Sequence, residues 1–200
     1  MEHFTTARLT ARDWTPADLE ASFAIYGRDE VTRWLGPQPR RPVETLAQMQ
    51  QVLDRRIAHG REQHHYGLWA LELRATGQVV GAVLLSPLPE EDPRPGQDTA
   101  VEIGWHLNPD HWGAGYATEA GRGAFALAFG LNRVGNDGVG PVMASRPARP
   151  VLDRVHALVD PDNIRSWNVC RRLGMRHLGQ TGRYFGLALG LFELTRAEVG

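Results

Sequence analysis

Two glycines one residue apart, Gly113 and Gly115, stand between a run that alternates as a strand does, AVEIGWHL, and a run with helical spacing, GYATEAGRGAFALAFGL. A glycine-rich strand-to-helix turn suits a phosphate: the main chain approaches without Cβ obstruction, and the unpaired amides and dipole of the helix start face negative charge. The stretch Trp112-Gly113-Ala114-Gly115-Tyr116-Ala117-Thr118 is therefore the candidate grip for a phosphorylated cofactor. The chain contains no lysine, which excludes a Walker-type phosphate lysine, a lysine Schiff base and a lysine general base. On the strand before the turn, alternation places Glu102, Gly104 and His106 on one face, opposite Val101, Ile103, Trp105 and Leu107. A carboxylate and an imidazole on that face are proton-transfer groups. Further on, Asn163 and Ser166 begin a helical stripe continued by Cys170 and Leu173. Polar groups at such a place meet a ligand or another polar group, and Asn163 is equally suited to cap its own helix. No cluster of residues has metal-ligand spacing, so no metal is expected.

The chain has 200 residues, 42% of them hydrophobic, enough for one sizeable core, so residues 1–200 read as one domain. A formal net charge of −1 gives no electrostatic case for nucleic acid. The N-terminal residues lack a basic segment followed by an apolar one, and no apolar run approaches a membrane span. With the single Cys170 unable to form an internal disulfide, a cytoplasmic protein is expected.

The elements that must position these residues follow from periodicity. HFTTARLTAR reads as a strand, and DWTPADLEASFAIYG as a helix with Thr15 at the cap and Pro16 at its first position. A second helix runs from about Val43 to His59, with Leu46, Met49, Leu53 and Ile57 as its buried stripe. YGLWALEL and QVVGAVLLSPL form a hairpin through Ala75-Thr76-Gly77. After the AVEIGWHL strand and the long helix come a strand, RVHALVD, a helix, NIRSWNVCRRLG, closed by Gly174, and two strands in the tail. Helices and strands alternate irregularly, which predicts an α/β fold with a mixed sheet covered by helices. Residues 132–153, rich in glycine, proline and arginine, read as a flexible surface insertion.

With these motifs in place, the chain resembles the GNAT superfamily of acyl-CoA N-acyltransferases, especially the branch of ribosomal-protein N-terminal acetyltransferases. The likeness spans nearly the whole chain and rests on two blocks: EIGWHLNP leading to Trp112-Gly113-Ala114-Gly115-Tyr116-Ala117, extended by TEA, and VDPDNIRSWNVCRRLGMRHLG. Trp112 stands where the family usually has glutamine or arginine, which removes a side-chain phosphate contact and leaves the amides. The resemblance implies the GNAT fold, a central mixed sheet flanked by helices, with acetyl-CoA as donor and a primary amine as acceptor. Transfer would be direct, in a ternary complex. It assigns the cofactor to Leu107 and Asn108 through main-chain groups, to the amides of residues 112–118, and to Asn163 and Ser166. Glu102 matches the glutamate that serves as base. For the acid that meets the departing thiolate, Ser166 and Tyr184 both qualify. Trp34, Glu102 and His106 are the candidate acceptor-binding residues.

The acceptor is open among a protein N-terminus, a polyamine, an antibiotic and another small amine, and the chain is expected to be a monomer or homodimer. Two other readings stand beside this one. The first is a non-catalytic CoA-binding or sensory module of the same fold. The second is an NAD(P)-dependent oxidoreductase, which Gly113-x-Gly115 suits less well because Thr118 stands where a dinucleotide fingerprint has Gly or Ala.

Overall fold

The computed structural model describes residues 1–36, 38–62, 65–89, 100–131 and 150–199. Most of the proposed insertion, residues 132–149, lies outside them. The described chain forms an eight-stranded sheet: β1 (Glu2–Thr5), β2 (Leu9–Arg12), β3 (Gly67–Leu73), β4 (Val79–Pro87), β5 (Val101–Leu107), β6 (Arg154–Val159), β7 (Arg176–Thr181) and β8 (Leu189–Thr195). Its spatial order is β1-β2-β3-β4-β5-β6-β8-β7. Every neighbouring pair is antiparallel except β5 and β6.

Among the described residues five α-helices accompany it: α1 (Leu19–Tyr26), α2 (Asp29–Thr32), α3 (Leu46–Glu62), α4 (Tyr116–Ala128) and α5 (Ile164–Arg172). The first strand expected from sequence is in fact a hairpin, β1 and β2, because Thr6 turns the chain, its amide donating to the Leu9 carbonyl and its hydroxyl accepting from the Leu9 amide. Period-two spacing does not register such a reversal. The expected stripe of α3 is also shorter: Met49 and Leu53 are fully buried, but Leu46, at the first residue of the helix, is 44% exposed.

The two faces of the sheet carry separate cores. One gathers Phe4, Leu71, Val83, Ile103, Ala157 and Phe192 beneath α4 and α5. The small-residue stripe makes this possible, since Ala120, Ala124 and Ala128 are fully buried and let α4 lie close to the strands. Trp14, Ile25, Tyr26, Met49, Leu53 and Ala82 make the other core, under α1 and α3. Strand alternation sorts β5 between these faces as expected, with Val101, Ile103 and Leu107 in the α4–α5 core.

One irregularity creates the site. β5 and β6 are paired in parallel only at Glu102 and His156, and beyond that point the strands part. Parallel neighbours normally continue their ladder. Here the separation opens the sheet near its centre, at the end from which the chain enters the glycine turn.

Candidate active site

A cavity of about 1050 Å³ occupies this opening, lined on its two sides by β5 (Glu102 to Leu107) and by β6 with its exit (Ala157 to Asp160). It passes from one face of the sheet to the other. On the α4–α5 side it meets Gly113, Gly115, Tyr116, Ala117 and Thr118, together with Asn163 and Ser166. The opposite side carries Trp34, Leu35, Glu30 and His106, with Phe185 from the β7–β8 connection. Asn108, Ala114 and Tyr184 are not part of this wall.

The glycine turn fits a diphosphate. Gly113 and Gly115 have φ of 82° and 83°, in the left-handed region that favours glycine. A Cβ on Gly113 would meet nothing within 4 Å, and one on Gly115 would meet only Arg8 Nη2 at 3.5 Å, so a side chain here would fill open space above the turn. Gly115 caps α4, whose first-turn amides have no helical partner and face that space. The turn is tied to the N-terminal hairpin. Glu119 accepts from the Arg8 amide (2.8 Å), Arg8 Nε (2.6 Å) and the Thr6 hydroxyl (2.6 Å), while Arg8 Nη1 donates to the Ala114 carbonyl (3.0 Å).

Beside Trp112, α5 supplies cations. The Arg165 guanidinium lies 4.4 Å from the centre of the Trp112 ring, and Arg172 Nε donates to the Thr118 hydroxyl at 3.2 Å. Both arginines line the cavity and are exposed at its mouth. Sequence reasoning passed over them, along with Arg8 and Phe185. A signal was present: in a chain without lysine the permanently charged cations are all arginine, and residues 165 and 172 are two helical turns apart on the helix of Ser166.

Main-chain groups also face the gap. The Asn108 amide donates to the Val80 carbonyl (3.0 Å), which by antiparallel alternation turns the amides and carbonyls of Ile103, Trp105 and Leu107 away from β4, toward the gap. Trp112 Nε1 donates to the Leu107 carbonyl at 3.0 Å. Asn108 therefore serves the sheet, and its side chain accepts from the Asp110 amide (3.1 Å).

Ser166 and Glu102 approach the gap from opposite faces. Asn163 caps α5 by accepting from the Ser166 amide (3.2 Å) and also lines the cavity. The Ser166 hydroxyl accepts from Trp105 Nε1 at 3.3 Å. That donation leaves the serine proton free to point into the cavity and polarises the O–H bond. Tyr184, the other candidate acid, is 8% exposed and stands behind the wall, with Phe185 reaching the cavity in its place.

Glu102 lines the cavity, and burial pushes its carboxyl up to about 7, against a hydrogen bond from the Leu158 main chain. Burial pushes His106 the other way, down to about 3, and the Arg56 cation adds to the effect. Its Nδ1 is 3.1 Å from the hydroxyl of Tyr26, whose ring carries the Arg56 guanidinium at 3.8 Å. The imidazole is therefore neutral at physiological pH. Cys170 is fully buried and its thiol is pushed up to about 12 by burial, so it is core and not a nucleophile.

Among the described residues no group of His, Cys, Asp and Glu side chains is arranged to hold a metal ion, and no helix is long and apolar enough to cross a membrane. The mixed, largely antiparallel strand order is not that of a doubly wound dinucleotide fold, which removes the oxidoreductase reading.

A central sheet opened between two parallel strands beside a glycine-rich helix start is an arrangement shared with a known family. The chain belongs to the family described as the acetyltransferase (GNAT) domain, which matches residues 8–176. It is an acetyl-CoA-dependent acetyltransferase. The uncharacterized N-acetyltransferase YoaA of Bacillus subtilis (strain 168) is 31% identical over 180 residues, covering 90% of this chain and 85% of YoaA. Among solved structures, AAC(6')-Ib in complex with ribostamycin and coenzyme A superimposes with a TM-score of 0.66 at 20% identity, covering 96% of this chain and 95% of that one. Mycobacterium smegmatis RimJ in complex with CoA-disulfide gives 0.65 at 20% identity, with 99% and 87% covered. At those identities the likeness shows the fold.

Proposed function

We propose that this protein transfers the acetyl group of acetyl-CoA directly to a primary amine, either a protein N-terminus or an amine of a small molecule, with both substrates bound in the β5–β6 opening. The observation that carries this reading is the position of Glu102 and Ser166 on opposite faces of one opening, whose donor end is the glycine turn. The first-turn amides of α4 with Arg165 and Arg172 hold the diphosphate. The Leu107 amide and the main chain of Trp105 pair with the pantetheine arm. The acceptor enters from the Trp34 and Phe185 side.

An amine arrives largely as ammonium and attacks only when neutral. Glu102, whose carboxylate forms near neutrality, removes that proton. The neutral nitrogen then adds to the thioester carbonyl; as the tetrahedral intermediate collapses the C–S bond breaks, the Ser166 hydroxyl donates to the departing sulfur, and the surplus proton on the nitrogen passes back to the Ser166 oxygen, leaving a neutral amide. Neutral His106, held by Tyr26, acts as a fixed polar contact for the acceptor.

The test is thiol release from acetyl-CoA across a panel of amines: N-terminal peptides, polyamines, aminoglycosides and simple primary amines. Release that depends on one class of amine is the expected result. Tight CoA binding with no amine-dependent release would overturn the reading in favour of a non-catalytic module.

A further inference from the structure

Strand register sets five side chains in one line across the sheet: Ser86 on β4, Glu102 on β5, His156 on β6, Glu193 on β8 and Arg176 on β7. Residues paired in register project from the same face, and neighbouring strands are about 4.8 Å apart, so the groups of this line stand side by side. The face is the one that carries Glu102. Val155, Ala157, Phe192 and Leu194, which flank His156 and Glu193 in sequence, belong to the core on the other face.

The line holds a charge that must be accounted for. Glu193 is 6% exposed, yet its carboxylate is fully engaged: Arg176 Nη2 at 2.8 Å on one oxygen, and His156 Nε2 at 3.3 Å and Arg154 Nη1 at 3.6 Å on the other. Both arginines are more than half exposed, so the carboxylate lies just beneath the solvent boundary. Donation from Nε2 to Glu193 places the imidazole proton on that nitrogen and leaves Nδ1 as an acceptor. Nδ1 is buried and has no hydrogen-bond partner. A buried polar atom without a partner calls for an explanation. The neighbour of His156 on its other side in the line is Glu102, the group that must discharge a proton.

We infer that His156 and Glu193 form the exit path for the proton that Glu102 takes from the incoming ammonium, an inference that rests on Glu102 being the base. One proton is released for each ammonium acetylated, and with both substrates seated the cavity side of Glu102 is filled. In the exit step the O–H bond of the Glu102 carboxyl breaks as its proton bonds to His156 Nδ1. The Nε2–H bond then breaks, its proton passes to Glu193, and Glu193 releases it to water beside Arg154 and Arg176. After product release, water entering the emptied cavity takes the Nδ1 proton while water beside Glu193 returns one to Nε2, which restores the resting tautomer of His156. Burial lowers the His156 pKa, which keeps the resting ring neutral and able to accept, while Glu193 raises it and Arg154 lowers it further. The groups facing this imidazole are thus Glu102 on β5, Arg154 on β6, Arg176 on β7 and Glu193 on β8. His156 acts through Glu102 and is a positioning residue.

The experiment compares wild type with His156→Gln, which keeps a donor to Glu193 but cannot relay, His156→Ala, and Glu193→Gln. Thiol release is followed with the best acceptor of the panel. At pH 7, His156→Gln should lower kcat about tenfold with an unchanged KM for acetyl-CoA. The deficit should shrink as pH passes the acceptor's own pKa, where the amine arrives neutral and no proton needs an exit. Added imidazole should restore kcat in His156→Ala and leave wild type unaffected. A deficit that is independent of pH and not restored by imidazole, or no deficit in either His156 variant at pH 7, would overturn the path. Nitrogen-15 NMR of the resting protein supplies a readout that needs no turnover: His156 Nδ1 should be unprotonated, and its signal should move in Glu102→Gln. A protonated Nδ1, or one indifferent to Glu102, contradicts the inference. Absence of thiol release with every amine would instead sink the proposed base and transfer reaction, with the NMR result still deciding whether the two residues are coupled.

Discussion

On the donor side of the β5–β6 opening the wall is mostly main chain and small residues: a left-handed Gly113 and Gly115, the amides that start α4, and the alanine stripe that seats the helix. On the acceptor side it is made of large side chains from distant segments, Trp34 after α2, His106 on β5 with Tyr26 of α1 behind it, and Phe185 between β7 and β8. The first surface is fixed by local backbone chemistry and suits a donor that never changes. The second depends on side chains that can be exchanged without disturbing the turn, which is how one fold can serve different acceptors. Glu102 and Ser166 stand where the two surfaces meet.

The largest expected effect lies at that meeting point. Glu102→Gln should lower kcat/KM for the amine by about 10²- to 10⁴-fold, read by thiol release. In wild type the activity should rise with pH through about 7 as the carboxylate ionises, and this limb should vanish in the variant. The same residue links to stability. Its carboxyl keeps its proton to about pH 7 in the fold but releases it near 4.5 when unfolded. The folded state therefore binds the extra proton between those values, and stability is lost as pH rises through that window. Above pH 7, Glu102→Gln should be more stable than wild type by about 3 kcal/mol, an advantage that disappears near pH 4 in thermal melts.

Next comes the donor surface. Gly115→Trp forces a side chain into the left-handed region and into the open space of the turn, and should weaken CoA binding by about 100-fold or more in calorimetry while leaving the fold intact. Arg165→Ala and Arg172→Ala should each weaken it by about tenfold, with a shallower salt dependence than wild type, the loss expected for one charge-assisted contact. Equal CoA affinity in both arginine variants would leave the grip to the amides alone.

The smallest effect sharpens the acceptor surface. Phe185 has φ of 59°, strained for a non-glycine residue, and is held with its ring at the cavity. Phe185→Gly should raise stability by about 1 kcal/mol in denaturant melts, while raising KM for the amine and leaving KM for acetyl-CoA unchanged. A rise in both constants would erase the division between the two surfaces.

The donor surface was legible in the sequence because its information is local. Glycine spacing, strand alternation around Glu102, the small-residue stripe of α4 and the capping asparagine of α5 each act within a few residues, and the family resemblance ordered them. The acceptor surface was less so. Nothing near Phe185 distinguishes it from Tyr184, and only the strained turn decides which ring faces the opening. His106 reads as a group that titrates near neutrality until Tyr26, Arg56 and the surrounding core are placed around it. Arg165 and Arg172 were visible as residues, but their use emerged only from contacts with Trp112 and Thr118, more than fifty positions away.

The most direct measurement is a crystal structure of this protein grown with coenzyme A. The account predicts the diphosphate on the amides that follow Gly115, flanked by Arg165 and Arg172, with the thiol beside Ser166 in the gap that Glu102 lines. A diphosphate bound away from the Gly113–Thr118 turn, or a thiol outside the β5–β6 opening, would contradict it.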